Sequence, residues 1–191
     1  MTEPLPAWAD APRLRPDMQL PAYRFVPGLN AHPTQDPQGH SFVKSPHAGL
    51  SARDTLLFGI DLYHQGYLWE AHEAWEHLWR LVGRQSLEGR LLQALIKNAA
   101  AVLKAHVRSA RGARRHSRDA YALLAPVSAE ADPLRADYPL GIDATALANE
   151  IRRCFEQLWA THGDNGLPLA DPLPRITLAP LCEAPDNKAP L

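Results

Sequence analysis

The sequence predicts an all-α protein, a compact bundle of about five helices with irregular, proline-rich N- and C-terminal segments wrapped on it. Three observations lead there. Proline is dense from Met1 to Pro46, absent from His47 to Ala125, and dense again after His162. A proline inside a helix removes a donor and clashes with the preceding turn, so long helices belong in the proline-free stretch. Within that stretch apolar residues recur at helical spacing between capping signals, and no strand-like alternation longer than a few residues appears. The chain therefore divides into an irregular N-terminal segment (residues 1–46) packing on the core, a helical domain (47–162) and an extended C-terminal tail (163–191).

The elements follow in order. Ser51-Ala52-Arg53-Asp54 has the form of a capping box and starts a first helix. Leu56, Ile60 and Tyr63 then share a face, and Gly66 stops it. A second helix runs from Tyr67 to about Val82 and ends at Gly83. Ser86 caps a third, Leu87 to about Val107, with Leu91, Leu95, Ala99, Val102 and His106 in one stripe. A fourth covers roughly Ala113–Leu124 and ends before Pro126. Asp143 caps a fifth, Ala144–Thr161, whose stripe is Leu147, Ile151, Cys154, Phe155 and Leu158. The short connections between the first three helices imply antiparallel neighbours.

Composition excludes several classes of function. The 191 residues are 46% hydrophobic and carry a formal net charge of −1. That is enough apolar matter for a core and too little net charge for a global field aimed at polyanions. Cys154 and Cys182 are far apart and lack metal-type spacing, which fits free thiols in a reducing compartment. The N-terminus lacks the apolar region of a secretory signal. No run approaches the roughly 18–20 apolar residues that would span a bilayer. The reading is a cytoplasmic protein with no membrane partner, for which a homo-oligomer remains open.

The second helix reads YLWEAHEAWEHLWR. At about 100° per residue, Trp69, His72, Trp75, Glu76 and Trp79 share a face. Ala71, Ala74 and Leu78 fall opposite, and Glu70, Glu73, His77 and Arg80 form a strip expected to be wet. His72 and Glu76 stand out, one turn apart among three tryptophans. A buried carboxylate needs a partner, and Asn98 and His106 on the third helix are the candidates to meet the pair. Three readings stay open. The cluster is a structural polar network fixing helix register. Alternatively it is a divalent-metal site, with His72, Glu76 and His106 as ligands and Glu73 beside them. In the third, it is a small-molecule pocket in which His72 is base, Glu76 its orienter and Glu73 a second carboxylate, with hydrolase-like acid/base potential. The string His72-Glu73-Ala74-Trp75-Glu76 imitates the zinc-protease motif H-E-x-x-H, but Glu76 replaces the second histidine, and the protease reading fails.

G-Y-x-W-E-A-H-E-x-W-E-x-x-W-R, then L-L-Q-A-L-I-x-x-A-A-A, then a histidine and Gly112-Ala113, resembles the family catalogued as domain of unknown function 309. The resemblance covers roughly Asp54–Leu124. It implies a compact all-helical fold and no reaction. The motif positions it carries over are Gly66, Tyr67, Glu70, His72, Glu73, Glu76, Trp79, Gln93 and His106. Of these, Tyr67, Trp79, Gln93 and His106, with Trp69 from the tryptophan face, make a ligand-binding set.

Two flanking features complete the reading. The segment YRFVPGLNAHPTQDPQGHSF is a turn-rich folded loop holding His32, Asp36 and His40. Tyr23, Phe25, Val26 and Phe42 would pin it to the bundle; His32 and His40 then either hydrogen-bond backbone to hold the loop or join His72 and Glu76 as metal ligands. Lys104, Arg108, Arg111, Arg114, Arg115 and Arg118 cluster around the turn between the third and fourth helices. A nucleic-acid surface is disfavoured, because no aromatic residue except Tyr121 is interleaved and no recognised motif is present. The rival to the pocket is a non-enzymatic interaction module that uses this basic surface.

Overall fold

The computed structural model describes residues 12–45, 47–130, 139–162 and 173–178. Five α-helices follow in order: α1 (Ala52–His64), α2 (Leu68–Leu81), α3 (Leu87–His106), α4 (Ala110–Glu130) and α5 (Ala144–His162), with a short 3-10 turn at Pro139–Gly141. Consecutive helices pack on one another, and the protein is all-α. Among the described residues the one strand-like feature is an antiparallel bridge between Ile142 and Leu178.

The helix ends obey local chemistry. Ser51 Oγ accepts from the Asp54 amide at 3.1 Å, Ser86 Oγ from Gly89 at 3.0 Å and Asp143 Oδ1 from Ala146 at 2.8 Å. Each bond satisfies one of the orphan amides that open a helix. α1 closes in a Schellman arrangement, with Tyr67 N–H on Leu62 O at 2.7 Å and Gly66 N–H on Tyr63 O at 3.0 Å. Gly66 takes φ +79°, which only glycine adopts without strain. α3 closes the same way with Arg108 at φ +58° in that place.

α4 departs from the sequence expectation at both ends. It begins at Ala110 rather than Ala113 and runs through Pro126 to Glu130. Leu124 and Val127 are both fully buried, so core packing continues on either side of the proline. The carbonyl that loses its bond, at Ala122, lies on the exposed side of the helix, where water can serve it.

α3 buries Leu91, Leu92, Leu95, Ala99 and Val102 between its neighbours. α1 and α2 approach closely at Gly59. A Cβ there would lie 2.4 Å from Nε1 of the fully buried Trp75, so the glycine makes room for the indole. Residues 12–45 contain no helix and lie against α1 and α2. Asp61, 2% exposed, accepts the amides of Leu14 and Arg15, both at 2.7 Å, and Arg13 Nε stands 3.7 Å away. From the C-terminal tail, Leu173 and Ile176 are buried in the core, and the Ile176 amide donates to His64 Nε2 at 3.2 Å. Cys154 is buried, its thiol accepting from Arg153 Nη2 at 3.4 Å and its pKa pushed up to about 11 chiefly by burial. Cys182 lies outside the described residues. No helix among the described residues is long and apolar enough to cross a membrane.

Candidate functional site

The buried half of α2 is centred on Ala71, Ala74 and Leu78, joined by Leu68, Trp75 and Glu70. The sequence makes this helix apolar on both the tryptophan and the alanine face; the structure buries the alanine face together with Trp75. Small residues let a helix come close to its neighbours, and here Ala71 and Ala74 point inward together with Trp75, while Trp69 and Trp79 lie half-buried at the flanks. Two consequences follow along the flanks of the helix.

On one flank, Glu70 is buried, not wet as expected. Its Oε1 accepts from the Phe25 amide at 2.9 Å and from His40 Nε2 at 2.9 Å. Ser41 Oγ lies 2.7 Å from the other ring nitrogen, His40 Nδ1. Tyr23 packs edge-on to His40 at 4.6 Å and donates its hydroxyl to Ala31 O at 2.8 Å. Burial pushes the Glu70 carboxyl above its ordinary value, opposed by these hydrogen bonds. Its Oε2 has no hydrogen-bond partner among the described residues. The loop thus folds over α2 as expected, but it meets Glu70 and Trp69. His32 stacks near Phe25 at 5.0 Å and Trp69 at 5.4 Å. Phe42 is 47% exposed and does not pin the loop; Phe25, buried against Trp69 at 5.5 Å, does.

On the other flank, His72, Glu73 and Glu76 are partly buried rather than enclosed. One ligand atom from each comes within 4.8 Å of the others, which makes them a group able to hold a metal ion. His72 Nε2 lies 3.9 Å from Glu76 Oε2, and Arg80 Nη2 lies 3.1 Å from Glu76 Oε1. Burial lowers the His72 pKa; the Glu76 charge and a hydrogen bond with the Ile96 backbone oppose that shift. Burial raises the Glu73 carboxyl, and repulsion from Glu76 adds to it. Trp79 follows on the same edge. Arg84 covers its ring at 4.8 Å, and its Nε1 is buried with no partner among the described residues.

The remaining sequence candidates fall elsewhere. Asn98, expected to meet His72 and Glu76, is fully buried and donates to Tyr63 Oη at 2.8 Å. Its helix turns that side chain toward α1. His106 ends α3, ten residues beyond Ile96, hence about 15 Å along the axis from the His72 contact. His40 is held by Glu70 and His32 by aromatic contacts, so neither joins the His72 group. Tyr67 is the N-cap residue of α2, half-buried, and Gln93 is half-buried on α3. The carboxylate that the sequence reading missed is Asp61. Its signal was a charged residue between Ile60 and Leu62 on a helix that is otherwise apolar there.

Geometry and fold together define the class: a small all-helical domain whose second helix carries a His/Glu donor group on one edge. Residues 56–116 match the family model described as Domain of unknown function (DUF309). The matched segment, which the sequence resemblance had pointed to, runs from α1 into α4 and contains the whole of α2 and α3. No curated protein matches the chain.

Proposed function

We propose that the edge of α2 formed by His72, Glu73 and Glu76 is a divalent-cation site with acid/base potential toward a small ligand. The observation that carries this is the convergence of one imidazole nitrogen and two carboxylate oxygens within 4.8 Å. Two carboxylates and a histidine suit a borderline or hard cation such as zinc or manganese. The lowered His72 pKa supports the reading, since a neutral imidazole offers its lone pair at neutral pH. A cation would also relieve the repulsion between Glu73 and Glu76. Three protein ligands leave positions for water or substrate, the condition for hydrolytic chemistry. His72 is then ligand or base, Glu76 its orienter and Glu73 the second carboxylate. The unpartnered Trp79 Nε1, on the same edge, is a donor for a bound anion or water. We read the compartment as the cytoplasm, on two cysteines far apart in sequence and without metal-type spacing.

Elemental analysis and calorimetric titration with zinc and manganese test the site. The wild type is expected to hold one ion per chain, and His72→Ala and Glu73→Gln with Glu76→Gln to hold none. Substoichiometric metal in the wild type, or equal binding by the variants, would overturn the reading.

A further inference from the structure

Beyond the α2 edge, the folded chain builds a second feature that neither helix shows alone. α4 and α5 enclose an open groove of about 920 Å³. Arg111, Arg114, Arg115 and Arg118 line one wall. Their spacing of three, four and seven residues places them on one face of α4. The row runs for about 10 Å along the axis, the length of about three stacked nucleotides at 3.4 Å each. Arg152 faces them from α5, and Glu156 is the one acidic residue among the lining residues described. The floor and rim are aromatic: Phe155, Trp159 and Tyr121, the last 42% exposed. Arg114 is held 4.0 Å over the Trp159 ring, which fixes a guanidinium at the groove wall.

We propose that this groove binds a single strand of nucleic acid, with arginines on the phosphates and the aromatic residues against the bases. Three features select that occupant. The cations are arginine throughout, whose planar fork matches phosphate oxygens bidentately. Aromatic rings are interleaved with them, the combination by which non-sequence-specific proteins hold single strands. The surface is concave, whereas a duplex needs a protruding element to enter its grooves. An acidic peptide would use the charge and leave the rings without a role. The fourth helix alone lacks this pattern, because Phe155 and Trp159 come from α5. Lys104 and Arg108, part of the same basic run in sequence, do not line the groove.

The test is fluorescence anisotropy of a labelled single-stranded oligonucleotide titrated with the full chain. With about four phosphate contacts, log affinity should fall with log salt at a slope near −3, so binding weakens about 50-fold between 50 and 200 mM. Arg115→Glu with Arg118→Glu, both exposed positions, should lower affinity at least tenfold and flatten the slope. Tyr121→Ala should weaken binding about fivefold or more with the slope unchanged, the signature of lost stacking rather than lost charge. Lys44→Glu, on the exposed N-terminal loop, should change nothing. No binding at 50 mM salt overturns the proposal. Equal affinity for a duplex, for polyphosphate or for a poly-glutamate peptide also overturns it, as does indifference to Tyr121→Ala.

Discussion

The two flanks of α2 carry similar chemistry and have opposite fates. Glu70 and His40 form a nearly dry pair, with side chains 2% and 5% exposed. His72 and Glu76, two and six residues beyond Glu70, remain 31% and 28% exposed. The difference is a cover. The N-terminal segment lies across the Glu70 flank and donates a backbone amide to the carboxylate, while Asp61 on α1 holds the same segment through Leu14 and Arg15. Nothing among the described residues covers the second flank in this way. A carboxylate that accepts backbone amides is a structural clamp, since removing it strands buried donors. One that faces water beside a histidine and another carboxylate is free to take a ligand.

This contrast can be broken by substitution. Glu70→Ala should cost about 3 kcal/mol in denaturant unfolding, because it leaves the Phe25 amide and His40 without their acceptor. His72→Ala, on the open flank, should cost less than about 1 kcal/mol. Equal losses would show that the two flanks are alike.

A second measurement asks whether cover by the C-terminal tail works as cover by the N-terminal segment does. His64 accepts the Ile176 amide, and burial, aided by Arg175, lowers its pKa to about 4. The folded value lies below the unfolded one, near 6.5. Protons therefore bind the unfolded chain first as pH falls. The contribution of His64 is complete above about pH 6.5 and is lost progressively toward pH 4, by up to roughly 3 kcal/mol. His64→Gln should flatten the stability curve across that window. An unchanged curve would mean that the Ile176 contact does not depend on the neutral ring.

Smaller effects sharpen the distinction. Glu70→Gln keeps an acceptor for Phe25 while removing the charge. Because burial already disfavours that charge, the change should lie within about 1 kcal/mol of neutral at pH 7, measured by the same unfolding titration. A loss as large as that of Glu70→Ala would assign the clamp to charge rather than to the hydrogen bond. Arg80→Ala removes an ion pair whose arginine is 67% exposed. It should alter stability by no more than about 0.5 kcal/mol and tighten cation binding at Glu76, read by calorimetry. Weaker binding would place Arg80 among the residues that build the site.

What the sequence determined by itself is local. The proline-free stretch marked the helical region, and Ser51, Ser86 and Asp143 announced three helix starts through hydrogen bonds spanning three residues. Gly66 announced a stop through its backbone freedom. The stripe on α5 was legible because one apolar face admits one burial direction. α2 was not, because it is apolar on more than one side, and periodicity alone cannot say which side faces the neighbours. The tertiary structure decided that. Gly59 and the alanines of α2 let the helices close on the Ala71–Leu78 face. That placed Glu70 under the N-terminal segment, left His72, Glu73 and Glu76 at an open edge, and sent Asn98 to Tyr63. The α4–α5 groove likewise joins arginines and aromatics from separate helices. Local signals fix where a helix begins and ends. Which of its faces is buried depends on what packs against it, and that is a property of contacts distant in sequence.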